Sequence, residues 1–108
     1  MKLIKQIFKE INNDIFNGAL DMPTFEYIHD GAHFGWYIEI NGEHIININP
    51  VYGIDYNYIF GTVAHEMCHQ ADWTFHKKTW KKVLTHKGKW AKMAREIEKF
   101  YNLERGTV

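Results

Sequence analysis

Apolar side chains recur at helical spacing in three parts of the chain. The first stripe predicts a helix over residues 2–16, and the Asn17-Gly18 pair that follows is a typical stop. The second stripe predicts a helix from about Asn57 to Phe75, and the third predicts one from about Thr85 or Lys87 to Tyr101. The stripes consist of Leu3, Ile4, Ile7, Phe8, Ile11 and Ile15, then Ile59, Phe60, Val63, Met67, Ala71 and Phe75, then Met93, Ala94, Ile97 and Phe100.

Between the first two helices the pattern changes to short β-prone runs, at Thr24–His29, His33–Ile40 and Glu43–Asn49. Asn41-Gly42 separates the last two runs, and this pair is typical of a hairpin because both positions of a type I′ turn need a positive φ. We therefore expect a small antiparallel sheet of three strands. The order helix, strands, helix, helix indicates an α+β fold, and the length fits a single domain over residues 1–108.

Composition excludes several classes of protein. Cys68 is the only cysteine, so an internal disulfide and a cysteine-only zinc site are excluded. The N-terminal residues lack the apolar core of a signal peptide, and no apolar run approaches the roughly 20 residues that span a bilayer. We expect a cytoplasmic monomer that does not enter a membrane.

Charge is distributed unevenly although the formal net charge is zero. Residues 1–72 carry seven more acidic than basic residues, and residues 73–108 carry seven more basic than acidic ones. Lysines interleaved with tryptophans are typical of nucleic-acid contacts, and a solvated lysine face around buried tryptophans has the same pattern. The candidate nucleic-acid contacts are Lys77, Lys78, Lys81, Lys82, Lys87 and Lys89.

One motif of the second predicted helix carries the chemistry. His65-Glu66-Met67-Cys68-His69 has the form H-E-x-x-H, an established signature of zinc metallopeptidases. Residues four apart on a helix lie about 40° apart in rotation and about 6 Å apart along the axis, so two imidazoles can meet on one Zn²⁺. Glu66 lies about 100° around from His65, where it can act as a base without being a ligand.

A catalytic zinc needs a third protein ligand and an open fourth position. His76 follows His69 by seven residues, so on a continuous helix it lies about 10 Å further along and can bind the ion only if the helix breaks. His86 follows His69 by seventeen residues, which is enough chain to turn and return. We prefer His86, and His76 or an acidic residue such as Asp72 remains an alternative.

The surroundings of the motif resemble the SprT-like zinc metallopeptidase domain. Thr62–His69 and the later pattern H-x-x-x-W-x-x-M of residues 86–93 carry the resemblance. Upstream, Phe16–Leu20 is similar to the family's end of helix one, and Ile46–Pro50 is similar to its strand before the metal helix. The resemblance covers most of residues 10–100.

The resemblance implies a zinc-dependent peptidase that holds one zinc ion per chain, with His65, His69 and His86 as ligands. It implies that Glu66 activates a zinc-bound water and later returns the proton, and that the substrates are proteins or peptides. In some relatives these substrates are attached to DNA. Lys87 stands where the family usually has a glycine, and Gly88 comes one residue later.

Two further expectations concern what the protein binds. An extended substrate is expected to add to a strand of the sheet, with Glu43–Asn49 as the candidate strand. The alternative to a peptidase is a non-catalytic module that uses zinc to fold and associates with nucleic acid through its basic last third.

Overall fold

The computed structural model describes residues 2–53, 55–76 and 86–108, and in these ranges it contains three α-helices and a three-stranded sheet. The elements in chain order are α1 (Lys2–Phe16), β1 (Thr24–Tyr27), β2 (Gly35–Ile40), β3 (Glu43–Ile48), a 3-10 turn (Pro50–Tyr52), α2 (Tyr56–His76) and α3 (Lys89–Phe100). The predicted α+β fold is confirmed. None of the helices in the described ranges is both long enough and apolar enough to cross a bilayer.

Helix α1 follows the predicted apolar stripe closely. Its buried residues are Ile4, Ile7, Phe8, Ile11 and Phe16, whereas Leu3 at the start of the stripe is exposed. The helix ends where Asn17 and Gly18 adopt positive φ values of 54° and 73°, the left-handed conformation that commonly closes a helix. The N–H of Gly18 then donates to the carbonyl of Asn12 over 2.9 Å.

Strands β2 and β3 form the predicted hairpin. Asn41 and Gly42 have φ values of 51° and 86°, as a type I′ turn requires. The two strands pair antiparallel, with Ile40 opposite Glu43 at the turn and Gly35 opposite Ile48 at the far end.

Strand β1 departs from the prediction of an all-antiparallel sheet, because it pairs with β3 in parallel. The strand order is β1-β3-β2, so β3 is the central strand. Alternating side chains are the same in parallel and antiparallel strands, so the pattern carried no information on direction. The hairpin turn specified only the relation between β2 and β3.

The connection between β1 and β2 crosses the end of β3, and Asn49 holds it there. The Asn49 side chain is fully buried; its Nδ2 donates to the carbonyl of Asp30 at 2.7 Å and to that of His33 at 2.8 Å. Its Oδ1 accepts from the N–H of Val51 at 3.0 Å. The loop that leads into β2 is therefore fixed in place by one side chain.

Helix α2 is the centre of the molecule, because it contacts α1, α3, β2 and β3. Burial therefore extends around the helix, and it includes five polar residues: Thr62, Glu66, His69, Gln70 and Asp72. Polar groups removed from water need partners. Gln70, for example, donates from Nε2 to the carbonyl of Asp21 over 2.8 Å.

Helix α3 begins at Lys89, two residues after the predicted start at Lys87, and the alternative start at Thr85 lies outside the described residues. Gly88 precedes the helix with φ 61°, outside the helical range. The short stretch before α3 is therefore not helical, and it contains His86.

We predict that Asn49→Ala lowers the free energy of unfolding by about 2–4 kcal/mol, because it leaves two carbonyls and one N–H without their partner. Equilibrium urea unfolding measures the effect. The matched control is Asn13→Ala on the exposed face of α1, which should change stability by about 0.5 kcal/mol or less. Equal effects of the two substitutions would contradict the role given to Asn49.

Candidate metal centre

Three imidazoles come together at the surface of α2. His65 and His69 lie one turn apart on the helix with ring centroids 5.2 Å apart. The ring of His86 reaches them from the stretch before α3, with centroids 4.7 Å from His65 and 5.1 Å from His69. One nitrogen from each ring can be chosen so that all three atoms lie within 4.8 Å of one another.

Trp90 packs against all three rings. Its ring centroid is 4.8 Å from that of His65, 5.5 Å from that of His69 and 4.6 Å from that of His86. The indole Nε1 also donates to the backbone carbonyl of His65 over 3.3 Å. Because Trp90 is itself buried at the start of α3, it ties the later part of the chain to the histidine pair on α2.

The spacing of the rings fits a tetrahedral metal ion. Ligand nitrogens about 2.0–2.1 Å from a tetrahedral Zn²⁺ lie about 3.3–3.4 Å from each other. The Nε2 atoms of His69 and His86 are 3.2 Å apart. Three histidines with a fourth position left open are also a donor set of catalytic zinc sites. These residues can therefore hold a metal ion, and the donor set is compatible with zinc.

Burial favours the neutral imidazoles of His65 and His86, the form that metal binding requires. The pKa of His65 is lowered to about 3, first by burial and then by the nearby rings of His69 and His86. Burial also lowers the pKa of His86. A hydrogen bond between the His65 ring and the backbone of Val108 acts in the opposite direction on the pKa of His65.

Glu66 follows His65 on α2 and lines the same cavity as His65 and His86, and the residue is only 4% exposed. It lies between α2 and the start of β2: a Cβ added to Gly35 would be 3.4 Å from Oε2 of Glu66 and 2.9 Å from Cγ2 of Thr62. Burial raises the pKa of Glu66 to about 8. A nearby cation would oppose that shift, because it favours the ionised carboxylate.

A cavity of about 680 Å³ opens onto these groups, within the usual size range of ligand sites. It has three walls: the loop into β2 (residues 32–35), one face of α2 from Asn57 to Glu66, and the segment Gly106–Val108, with His86 at its edge. Glu66 is the sole carboxylate among these lining residues, and no lysine or arginine of the described chain lines the cavity. The cavity therefore presents backbone and mostly uncharged side chains to a ligand.

The structure does not bring the alternative third ligands to the cluster. His76 remains on α2, as the unbroken helix predicted, and its Nδ1 lies 2.6 Å from Oδ1 of Asp72. Asp72 is fully buried beneath that contact. Cys68 is also fully buried, and burial raises the pKa of its thiol, as expected for a core side chain.

The candidate nucleic-acid contacts are only partly described. Lys87 and Lys89 are exposed just after His86, whereas Lys77, Lys78, Lys81 and Lys82 lie outside the described residues. Trp90 is buried and Trp73 is half-buried. The two tryptophans thus pack in the interior and are not presented as stacking surfaces for bases.

The prediction that a substrate strand adds to β3 is wrong, because β3 is already paired with a strand on each edge. Strand β2 is the outer strand on the side of the cavity, since its first residue, Gly35, and the preceding Phe34 both line the cavity. In the described ranges no further strand pairs with β2.

Sequence reasoning missed the third wall of the cavity, Gly106–Val108. No periodicity or motif marks these residues, and they come into place only when the chain folds back after α3. A weak signal was present in α2: Gly61 lies inside a helix, where glycine is unfavourable, and a Cβ there would lie 2.5 Å from the carbonyl oxygen of Thr107.

Comparison with known proteins bears on the whole chain. The model of the SprT-like family matches residues 4–107. No curated protein and no solved structure gives a significant match.

We predict that the purified protein binds one Zn²⁺ per chain and that replacing His65, His69 or His86 by Ala weakens binding by more than 100-fold. Loss of an outer-shell partner alone typically weakens binding by about 10–100-fold, and loss of a ligand should exceed this. The matched control is His76→Ala, which should keep the ion. Competition against a chromophoric chelator gives the affinities, and loss of zinc from His76→Ala alone would contradict the assignment.

Proposed function

We propose that this chain, which belongs to the SprT-like family, is a zinc-dependent peptidase that cleaves protein or peptide substrates in the cavity on α2. His65, His69 and His86 would hold the ion, and Glu66 would act as the catalytic base and acid. The proposal also covers substrates that are associated with DNA, as the resemblance implies for some relatives.

The observation that carries the proposal is a buried glutamate, Glu66, that lines the same open cavity as His65 and His86 of the three-histidine cluster. A zinc site that only stabilises a fold is usually closed by four protein ligands. Here the described residues offer three imidazoles, and Glu66 is the neighbouring polar residue. This set of residues favours a catalytic metal site over a structural one.

A bound zinc ion would supply a Lewis acid for the substrate carbonyl and lower the pKa of a water molecule. The Glu66 carboxylate then accepts a proton from the attacking water and delivers it to the departing amine nitrogen. Gly35 lies close to this carboxyl group, and Glu66 is almost fully shielded from bulk water. Proton transfer therefore takes place in an environment that strengthens each electrostatic contact.

The walls of the cavity suggest how an extended chain is held. Strand β2 is an edge strand that begins at the cavity, and an edge strand can pair with an added peptide strand through its backbone. We propose that the substrate lies along β2 with the scissile bond near Gly35, because a Cβ at Gly35 would lie only 3.4 Å from Oε2 of Glu66.

We predict that Glu66→Gln retains zinc and loses cleavage of an unfolded protein substrate by about 10²–10⁴-fold, the usual contribution of a general acid–base. Gln has the same shape as Glu but cannot accept and return the proton. Cleavage is measured with and without DNA, and Glu96→Gln on the exposed face of α3 is the matched control. Undiminished cleavage by Glu66→Gln would remove Glu66 from the mechanism.

We predict that the pairing with β2 makes cleavage sensitive to backbone methylation of a peptide substrate with a period of two. Alternate residues of a strand direct their N–H groups to the same side, so N-methylation at every second position should lower kcat/KM about 2–12-fold, the value of one hydrogen bond. Methylation at the positions between them should have little effect. A uniform effect at all positions would contradict strand addition.

The same assays separate the peptidase from the alternative of a non-catalytic module. Such a module would bind zinc and DNA, and no protein substrate would be cleaved by the zinc-loaded chain. Exposed Lys87 and Lys89 next to His86 are compatible with either function, so the cleavage assay decides between them.

A further inference from the structure

The segment Gly106–Val108 follows α3 and lies in the metal centre. After the helix the N–H of Leu103 donates to the carbonyl of Glu98 over 2.7 Å, and that of Thr107 donates to the carbonyl of Glu104 over 3.1 Å. These bonds turn the chain back toward α2. The three residues of the segment line the cavity, and Val108 is only 7% exposed.

Glu98 anchors this segment from α3. Its side chain is 3% exposed, and its Oε2 accepts hydrogen bonds from the N–H of Gly106 at 2.8 Å and the N–H of Val108 at 2.9 Å. Arg95 lies 2.6 Å away, measured from Nε to Oε1 of Glu98. A buried carboxylate is costly unless its charge and lone pairs are satisfied, so these contacts hold Glu98 and the segment together.

The segment approaches α2 so closely that only glycine fits beneath it. A Cβ at Gly61 would lie 2.5 Å from the carbonyl oxygen of Thr107. Gly61 has no Cβ, so the backbone of the segment rests directly on the helix one turn before His65. This contact sets how closely the backbone of Gly106–Val108 approaches α2 in the cavity.

At that distance from α2 the segment lies next to His65, a proposed metal ligand. His65 and Val108 line the same cavity, and the backbone of Val108 lies within hydrogen-bonding reach of the His65 ring. Histidines that bind metals generally donate their second ring N–H to an oxygen, which fixes the tautomer and the orientation of the ring. The backbone of Val108 supplies such an oxygen to His65.

We propose that Gly106–Val108 positions His65 for metal binding and that Glu98 and Gly61 set the place of the segment. The proposal rests on the proposed function in one respect, the role of His65 as a zinc ligand. Glu98 is a positioning residue, because it acts on His65 through the backbone of the segment. The proposed metal centre thus takes a supporting group from residues that follow α3 and lie well beyond α2 in sequence.

A matched pair of glycine substitutions tests the proposal. Gly106 and Gly18 have positive φ values of 94° and 73°, and a Cβ at either position would contact no atom within 4 Å. Gly106→Ala and Gly18→Ala therefore impose similar backbone strain, but only Gly106→Ala displaces the segment. We expect similar losses of Tm, a zinc affinity lowered about 10-fold or more in Gly106→Ala, and an unchanged zinc affinity in Gly18→Ala.

Gly61→Ala is a second, independent variant. Alanine is more favourable than glycine inside a helix, so the substitution raises the stability of the helix itself. The carbonyl of Thr107, however, must move away from the new Cβ. We expect weaker zinc binding and an altered visible absorption spectrum of the cobalt(II)-loaded protein, because the orientation of His65 changes. A change in the stability of the helix alone would not alter that spectrum.

Two results would overturn the proposal. If Gly106→Ala and Gly61→Ala remain folded, bind zinc as the wild type does and show the wild-type cobalt spectrum, the segment does not position His65, and the proposed peptidase function still stands. If the wild-type chain binds no zinc, the proposed function fails and this inference fails with it.

Discussion

Burial of a helix that carries several polar side chains is the constraint on which the rest of the structure depends. Helix α2 is covered by two helices and the sheet, so its polar side chains are removed from water. Away from the cavity these groups are held by neighbours, as Gln70 is by the backbone of Asp21 and Asp72 is by His76. His65 and Glu66 line the cavity, and the ring of His69 packs against that of His65. A divalent cation held by the imidazoles would favour the charged form of the buried Glu66.

The cavity is assembled from parts that are far apart in sequence, and each part is fixed by a few polar contacts. Asn49 holds the loop into β2 through hydrogen bonds from Nδ2 to the carbonyls of Asp30 and His33. Trp90 brings the start of α3 against the histidine pair, and Glu98 holds the last wall. The three walls of the cavity therefore come from separate parts of the chain that these contacts bring together.

Local signals accounted for much of the fold. The stripe of α1, the Asn41-Gly42 turn and the length of α2 were predictable because each depends on neighbours within about one turn of helix or one hairpin. The direction of β1 was not predictable, since a strand has the same alternation in either direction. The choice of β3 as a substrate strand failed for a different reason: β3 is the central strand, because the loop between β1 and β2 crosses its end, and the alternation of side chains does not encode strand order.

By itself the sequence determined which side chains of α2 can meet: helical geometry brings His65 and His69 to one face and carries His76 beyond their reach. Only the tertiary structure decided that His86 comes back to that face, that β2 borders the cavity and that Gly106–Val108 closes it. Helix periodicity is a property of adjacent residues, whereas the return of a chain depends on packing against Trp90, Asn49 and Glu98 from distant positions. No spacing along the chain encodes those contacts.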